Sequence, residues 1–379
     1  MLSGLGTAKA RKALAGLHQV SLVELVGPGR YRAHDMLRLF AIERISTEES
    51  GDTRTAAVRA VITWYLASAA NADRLFDVKH PEILGIAGPG MEFSDATAAM
   101  DWLHAERTNL VACVHQAAEW SLHDLAWRLA ATLFEYFYRT KMWSDWIGTH
   151  TTGLASARTE RDRHGVATML SRLGVAHRER YEHELAEDCF REALSTWEEL
   201  KYAVGVAWVA GRYAQACRER GRLDEAAVLC LRGLHVAEQT ADRQEQGVIH
   251  NNLSGIYRDA GHLDEALEHS TRALTAFTEV GYHRGMAWAR TNAANIHRDA
   301  GRLDIALELY QQAYNQRVDL GDQYGQALTL SDMGYAQCLA GAVETGVATM
   351  RTALDLFPED DPITRRLRAR LTEFTDTIG

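Results

Sequence analysis

The chain has 379 residues, of which 46% are hydrophobic and 24% charged, and it contains only 5 Pro and 5 Cys. Its formal net charge of −10 argues against a non-specific nucleic-acid binder. Because there is no apolar run of about 18 residues and no apolar core near the first residue, we expect no membrane span and no signal peptide, and we predict a cytoplasmic protein.

The first fifty residues predict a helix, a β-hairpin and a second helix. A basic helix precedes the hairpin, which is expected at about residues 21–33 with Gly27-Pro28-Gly29 as its turn. His34 and Asp35 begin the next helix. This order is that of the end of a winged-helix domain, so residues 1–50 are predicted to be a partial winged helix.

Residues 51–140 predict helices that do not share the spacing of the segment that follows. One long helix is expected at about residues 55–76, and two more at 96–120 and 122–139. We predict that these helices form a linker bundle that caps one end of a repeat array.

The rest of the chain has an internal repeat of 40 residues. The motif Gly-x-Leu-Asp-x-Ala begins at Gly221, Gly261 and Gly301, and weaker copies lie one step before and after. Glycine favours the left-handed conformation that ends a helix, so each copy predicts the turn between two helices. The predicted array covers residues 141–357, and an amphipathic helix in residues 358–379 is expected to cap its open end.

The pattern of small and large residues resembles the tetratricopeptide repeat. Leu173-Gly174 and Met333-Gly334 hold its Leu-Gly place, although the usual repeat is about 34 residues long. The predicted fold class is all-α: a right-handed tetratricopeptide superhelix of 40-residue hairpins, preceded by the helical linker and the partial winged helix. Stacking is required because each hairpin alone leaves an apolar stripe in water.

Two strings resemble a more specific family. Tyr31-Arg32-Ala33-His34-Asp35 and Trp102-Leu103 with the seven residues after them are similar to NB-ARC/STAND regulatory ATPases, in particular AfsR-like transcriptional regulators of actinobacteria. In that family a Met-His-Asp triplet lies here, and its His approaches the β-phosphate of ADP. His34 and Asp35 match the triplet, whereas Ala33 replaces its Met. The resemblance implies ADP or ATP, sensed by His34 and Asp35, for the full-length protein and no cofactor for this chain alone.

No phosphate-binding loop of the form Gly-x₄-Gly-Lys-Ser/Thr occurs in the chain. We therefore expect the C-terminal part of a larger switch protein, with its own upstream nucleotide-binding domain as a partner; a free-standing degenerate relative is the alternative. No catalytic residue and no metal site are expected, because no nucleophile arrangement and no set of metal ligands stands out. An enzyme is not expected.

The first helix of each hairpin is predicted to present polar side chains to a concave groove. The candidate positions, expected to be exposed, are Arg172, Arg178, Arg212, Arg218, Asn252, Arg258, Asn292, Arg298 and Asp332. Arginine makes two-point contacts with carboxylates and phosphates, so a peptide, protein or small acidic ligand fits this groove. The alternative is that these arginines stabilise helix ends and are neutralised by the acid that follows many of them.

The leading hypothesis is a ligand- or protein-sensing region of a STAND-type transcriptional regulator that controls a nucleotide-dependent switch, with oligomerisation on activation. One alternative is a constitutive scaffold for protein–protein interaction without switching. A weaker one is a winged-helix DNA-binding protein; DNA contact is not expected, because in STAND proteins this module packs against the nucleotide domain.

Overall fold

The computed structural model describes residues 7–27, 29–76, 86, 88–357 and 361–375. Pro28 of the predicted turn and parts of the predicted linker and capping segments lie outside these residues. In the described part of the chain, the regular structure consists of helices and one two-stranded sheet. No helix there is long and apolar enough to cross a membrane.

The N-terminal module has the predicted order of elements: α1 (Thr7–Gln19), β1 (Val23–Gly27), β2 (Arg30–Ala33) and α2 (Asp35–Glu48). The two strands are antiparallel, with Val23 opposite Ala33. Gly29 has a φ of 70°, which is the left-handed conformation that the turn needs. The hairpin is attached to the linker by an ion pair of 2.7 Å between Arg30 Nη2 and Glu106 Oε1.

Four helices form the linker: α3 (Gly51–Asp73), α4 (Ala96–Glu119), α5 (His123–Thr132) and α6 (Phe134–Thr140). Ser50 and Asp95 cap α3 and α4 by accepting hydrogen bonds from backbone N–H groups three residues later, at 3.1 and 2.9 Å. The single helix predicted for residues 122–139 is divided at Leu133. The N–H group of Leu133 is shared between the carbonyls of Leu129 and Ala130, at 3.1 and 3.2 Å, so the backbone is tightened locally towards a 3₁₀ turn.

In the array a helix begins every 20 residues. The helices are α7 (Trp143–Thr159), α8 (Arg163–Glu179), α9 (His183–Glu199), α10 (Ala203–Glu219), α11 (Leu223–Gln239), α12 (Arg243–Asp259), α13 (Leu263–Glu279), α14 (His283–Asp299), α15 (Leu303–Asp319), α16 (Gln323–Leu339) and α17 (Val343–Leu356). The helices from α7 to α16 have 17 residues each. The 40-residue repeat is therefore a hairpin of two equal helices with three-residue connections.

Each connection in the array has one residue in the left-handed conformation. At Gly221 φ is 76°; its N–H donates to Arg218 O (2.8 Å), and the next N–H, of Arg222, donates to Cys217 O (2.9 Å). This pair of bonds satisfies two carbonyls that the helix end leaves unpaired. Tyr181, which stands where the repeat loses its glycine, has a φ of 61° and makes the same kind of turn.

Small residues allow the two helices of a hairpin to approach closely. The alanine of the repeat motif is fully buried in each of the clear units, at Ala186, Ala226, Ala266 and Ala306. A larger side chain at these positions would separate the helices, because protein interiors are closely packed. A small residue is therefore needed at this position of the repeat.

The array curves back onto the linker. Arg284, at the start of α14, lies with its Nη1 3.1 Å from Oε1 of Glu135 in α6, and we call this ion pair the closure pair. Both side chains are buried, at 7% and 2% exposure. Arg284 Nη2 is also 3.5 Å from Asp322 Oδ1, and Lys141 Nζ lies 4.7 Å from the ring centroid of Tyr324. The start of the array therefore contacts helices that follow it by more than a hundred residues.

The helix α18 (Pro362–Thr375) packs against α16 and α17 at the other end of the array. Leu367 and Leu371 are buried in the same core as α15, α16 and α17. Phe374 packs edge-on against Tyr335 of α16, with 5.9 Å between the ring centroids. The apolar stripe of α18 thus removes the last hairpin's exposed face from water.

Candidate ligand groove

The predicted polar residues fall into two sets, each with a spacing of 40 residues along α8, α10, α12, α14 and α16. The first set is Arg172, Arg212, Asn252, Asn292 and Asp332, and the second is Arg178, Arg218, Arg258 and Arg298. The two sets differ in their contacts, so we describe them separately.

The first set joins successive hairpins. Three of its side chains donate to a backbone oxygen 41 residues earlier: Arg172 to Ala131, Asn252 to Gly211 (2.9 Å) and Asn292 to Asn251 (3.1 Å). The prediction that all of these side chains are exposed is wrong for Arg172 and Asn252, which are 5% and 2% exposed. Each lies between the first helices of neighbouring units and contacts residues that precede it in the chain: Arg172 contacts Ala131, and Asn252 contacts Gly211 and Gln215.

The second set forms a ladder of ion pairs between hairpins. Each of three arginines is within 4 Å of an acid 41 residues later: Arg178 of Glu219 (3.9 Å), Arg218 of Asp259 (2.6 Å) and Arg258 of Asp299 (3.5 Å). Arg178 is buried rather than exposed as predicted, for the same reason as the first set. These arginines are therefore neutralised by nearby acids, which was the alternative to ligand binding. The neutralising acid comes from the next hairpin as well as from the residue that follows the arginine.

Basic neighbours hold two carboxylates of this wall, Glu179 and Asp259, in their charged form. Burial would raise the pKa of Glu179, but Lys141 and Arg178 outweigh it and lower that pKa to about 2. For Asp259, burial again opposes the charged form, and the guanidinium of Arg218 outweighs it and lowers the pKa. For Glu219 the balance is the opposite, because burial raises its pKa and the charges of Arg178 and Arg218 do not fully offset this.

The inner helices enclose a cavity of about 390 Å³. Five of the predicted residues line it: Arg178, Arg212, Arg218, Asn252 and Asn292. A volume of this size suits a small molecule or a few residues of a peptide. Asn251 also lines the cavity, and Glu135 of the closure pair forms part of its wall.

The other predicted groove residues lie outside this cavity: Arg172, Arg258, Arg298 and Asp332. Asp332 is 3.5 Å from Nη1 of Arg370 on the capping helix, and Arg298 donates to the Asn295 side chain (2.8 Å). The end of the array near α18 is thus occupied by contacts within the chain.

Aromatic side chains form much of the cavity wall, although the sequence predicted only a polar groove. They are Phe134, Tyr138, Trp208, Tyr282 and Trp288. Trp208 and Trp288 are only partly buried. They lie two repeats apart, each on the first helix of its hairpin. Because Arg212, one turn after Trp208, was predicted to face the groove, this spacing could have placed both tryptophans there as well.

Arg212 is fixed on the wall from two sides. Its guanidinium carbon lies 4.2 Å from the ring centroid of Trp208, and it forms an ion pair with Glu245. Burial raises the pKa of Glu245 to about 7, and the attraction of Arg212 does not fully offset it. Glu245 is thus the acid of the wall whose charge responds to pH near neutrality.

His34 and Asp35 lie at the exposed start of α2 and are not part of the cavity wall. His34 precedes the helix and its side chain makes no capping hydrogen bond. The two predicted sites, groove and nucleotide sensor, are therefore separate in this chain.

Comparisons with known proteins agree with this architecture. A family model described as tetratricopeptide repeat matches residues 165–239 and 245–319. The regulatory protein AfsR of Streptomyces coelicolor (strain ATCC BAA-471 / A3(2) / M145) is 30% identical over 265 residues, which are 64% of this chain and 25% of that protein. AfsR of Streptomyces griseus is 36% identical over 117 residues, 29% of this chain and 12% of that protein.

The chain contains an AfsR-like tetratricopeptide region. It spans about a quarter of the length of the first AfsR relative. A STAND protein with a tetratricopeptide repeat sensor, from Pyrococcus horikoshii, has a TM-score of 0.59 at 14% identity, covering 95% of this chain and 47% of its own. A Rap protein solved with Competence and Sporulation Factor has a TM-score of 0.53 at 12% identity, covering 85% and 98%. These two similarities concern the fold alone.

Proposed function

We propose that this AfsR-like region is the sensing part of a STAND-type transcriptional regulator. In this proposal, a ligand or protein binds in the groove and shifts a nucleotide-dependent switch. The AfsR relatives and the STAND protein with a repeat sensor support this class of regulator.

The observation that carries the proposal is the position of Glu135. Its side chain lines the cavity and, in the same place, forms the closure pair with Arg284. An occupant that contacts Glu135 therefore changes the contact that joins the linker to α14. A ligand shifts an equilibrium only through its different affinity for two states, and open and closed arrangements of this contact provide such states.

The second partner in the proposal is a nucleotide-binding domain that docks on α2. This helix has no buried side chain, and five of its apolar residues are between 49% and 78% exposed: Met36, Leu39, Phe40, Ile42 and Ile45. Clustered apolar exposure of this kind is typical of an interface. His34 and Asp35 at the start of α2 would then lie next to ADP or ATP, as the resemblance implies.

The fold neighbours suggest what kind of occupant the groove takes. Two Rap proteins of the same fold were solved as complexes, one with Competence and Sporulation Factor and one with the Phr* peptide. Both are under 25% identical to this chain, so they support a peptide as one candidate occupant and do not identify it.

The proposal is tested on the polypeptide that carries both this chain and the nucleotide-binding domain. ATP turnover and oligomeric state are measured for the intact protein and for a version without residues 141–379. Removal of the array is expected to change both quantities. If neither changes, the array is a constitutive scaffold; an upstream reading frame without a phosphate-binding loop would also overturn the proposal.

A further inference from the structure

Arg317 of α15 is a buried cation on the cavity wall that lacks an acidic partner. Its side chain is 3% exposed, and Nη1 donates to Gly325 O and to Thr329 Oγ1 (2.8 Å). Its Nε is buried without a hydrogen bond. Among the described residues, no carboxylate forms an ion pair with Arg317, although the other cavity arginines all have one.

The acids near Arg317 are already engaged. Asp322 caps α16 through the N–H of Gly325 (3.1 Å) and lies 3.5 Å from Arg284, which also holds Glu135. Burial lowers the pKa of Arg317 to about 10; the charge of Asp322 opposes this and that of Arg284 adds to it. Arg317 is still protonated at neutral pH, so a positive charge without a matching partner is buried here.

The rest of the wall near the cavity is mostly apolar or already paired. Trp208, Val248 and Trp288 present apolar surface. An occupant that fits these walls has an apolar part together with one negative charge, because one arginine remains to be neutralised. A phosphate with two charges fits less well, since Glu135 and Glu245 also line the cavity.

We propose that Arg317 is the subsite for a carboxylate of the groove ligand, whose apolar part lies against Trp208, Val248 and Trp288. The inference rests on the proposed use of this cavity as the ligand site. The edge of the guanidinium formed by Nε and Nη2 carries two parallel N–H groups, and these match the two oxygens of a carboxylate. The carboxylate belongs to a small organic acid or to the C-terminus of a short peptide.

The first test uses 3-phenylpropionate as the probe and neutral 3-phenylpropionamide as its control, at constant ionic strength. The Arg317 Nε–H resonance of the chain labelled with ¹⁵N is followed during each titration and is assigned with R317K. We expect a saturable shift with the acid and none with the amide. No saturable shift, or equal shifts with both compounds, overturns the proposal.

Two variants give the second test. R317Q is expected to raise the dissociation constant of the acid by at least about tenfold, because a charge-assisted hydrogen bond is lost. R258Q removes an arginine of the ladder that lies outside the cavity and should leave that constant unchanged. Equal affinity of R317Q and wild type overturns the proposal. If circular dichroism shows that R317Q does not fold, the wild-type resonance decides alone.

A third comparison separates the two sources of the carboxylate. The peptide Ala-Val-Phe is titrated with a free and with an amidated C-terminus. Tighter binding of the free form, lost in R317Q, indicates a peptide terminus, whereas binding of 3-phenylpropionate alone indicates a small acid.

The subsite and the proposed function can fail separately. If these compounds bind through Arg317 but leave ATP turnover of the longer regulator unchanged, the proposed function fails while the subsite stands. If another ligand acts on turnover equally well in R317Q, the subsite fails while the proposed function stands.

Discussion

The side-chain amide of Asn252 donates to the backbone oxygen of Gly211, 41 residues earlier, at 2.9 Å, and accepts from Gln215 at 2.6 Å. This one side chain therefore connects two hairpins through hydrogen bonds that are sealed from water, since it is 2% exposed. Its position in the repeat is one that the sequence analysis assigned to ligand binding. In this structure its first role is to set the distance between repeats.

Replacing this amide is expected to weaken the contact between α10 and α12. The substitution N252A leaves the buried carbonyl oxygen of Gly211 and the half-buried amide of Gln215 without this partner, so we expect a loss of about 1–3 kcal/mol of stability. Urea unfolding followed by circular dichroism measures it. The control N315A removes an exposed amide on α15 and should change stability by less than about 0.5 kcal/mol. Equal effects of the two substitutions would contradict the structural role.

The closure pair predicts a large loss of stability when Glu135 is replaced. E135A leaves the buried guanidinium of Arg284 with only Asp322, at 3.5 Å, so stability should fall by about 3–5 kcal/mol. Small-angle X-ray scattering should also show a larger radius of gyration as the array separates from the linker. R158A, which breaks an exposed pair with Glu192, should cost less than about 1 kcal/mol. An unchanged radius in E135A would show that the pair does not hold the two parts together.

The left-handed turns predict opposite effects for two exchanges. Lys201 has a φ of 53° at an exposed turn, so K201G relieves an unfavourable backbone conformation and should stabilise the chain by about 1 kcal/mol. Gly301 has a φ of 72° and open space around it, so G301A should destabilise the chain by a similar amount. Thermal unfolding midpoints measure both, and a shift in the same direction for the two variants would refute this account.

His150 predicts a loss of stability in acid. Burial, together with the charge of Arg172, lowers its pKa to about 3, whereas the ordinary value is 6.5. As the pH falls below about 6.5 the unfolded chain binds the proton first, so wild type should lose stability relative to H150L by about 1.4 kcal/mol per pH unit. Urea unfolding at pH 7, 6 and 5 measures the difference. H235L, at an exposed histidine of α11, serves as the control, and its free energy of unfolding should change between pH 7 and pH 5 by the same amount as that of wild type.

The exposed face of α2 predicts a variant that affects binding and not folding. Leu39 and Phe40 are 62% and 56% exposed, so L39E/F40E should leave the thermal midpoint of this chain nearly unchanged. The same variant should lose association with the nucleotide-binding domain in size-exclusion chromatography. V228E, on the array at 65% exposure, is the matched control and should still associate. Full association of L39E/F40E would exclude α2 as the docking face.

The helices and their turns were predictable because the repeat determines them locally. The glycines at Gly221, Gly261 and Gly301 end helices, and the buried alanines follow at a fixed distance, so one unit defines the others. The alternation of two equal helices also follows from the 40-residue spacing once three-residue turns are assumed. The capping role of α18 followed from its apolar spacing alone.

The exposure of the groove residues was not predictable in the same way. Whether Arg172 or Asn252 is exposed depends on how closely consecutive hairpins stack. The sequence shows the length of the repeat, but it does not show the angle at which one hairpin packs on the next. The contact of Glu135 with Arg284 depends on the sum of many small rotations along the array. The absence of an ion-pair partner for Arg317 among the described residues could not be predicted either, because it depends on which acids lie near this side chain and are already paired with other residues.

The closure pair has a consequence for how this gene can change during evolution. Repeat proteins commonly gain or lose whole units by duplication or deletion, because each unit contacts only its neighbours. Between Glu135 and Arg284 lie the seven helices from α7 to α13. One additional hairpin there would carry Arg284 past Glu135 and leave both charges buried alone. This stretch therefore has a fixed number of units, and we expect changes in length among its relatives to fall after α16.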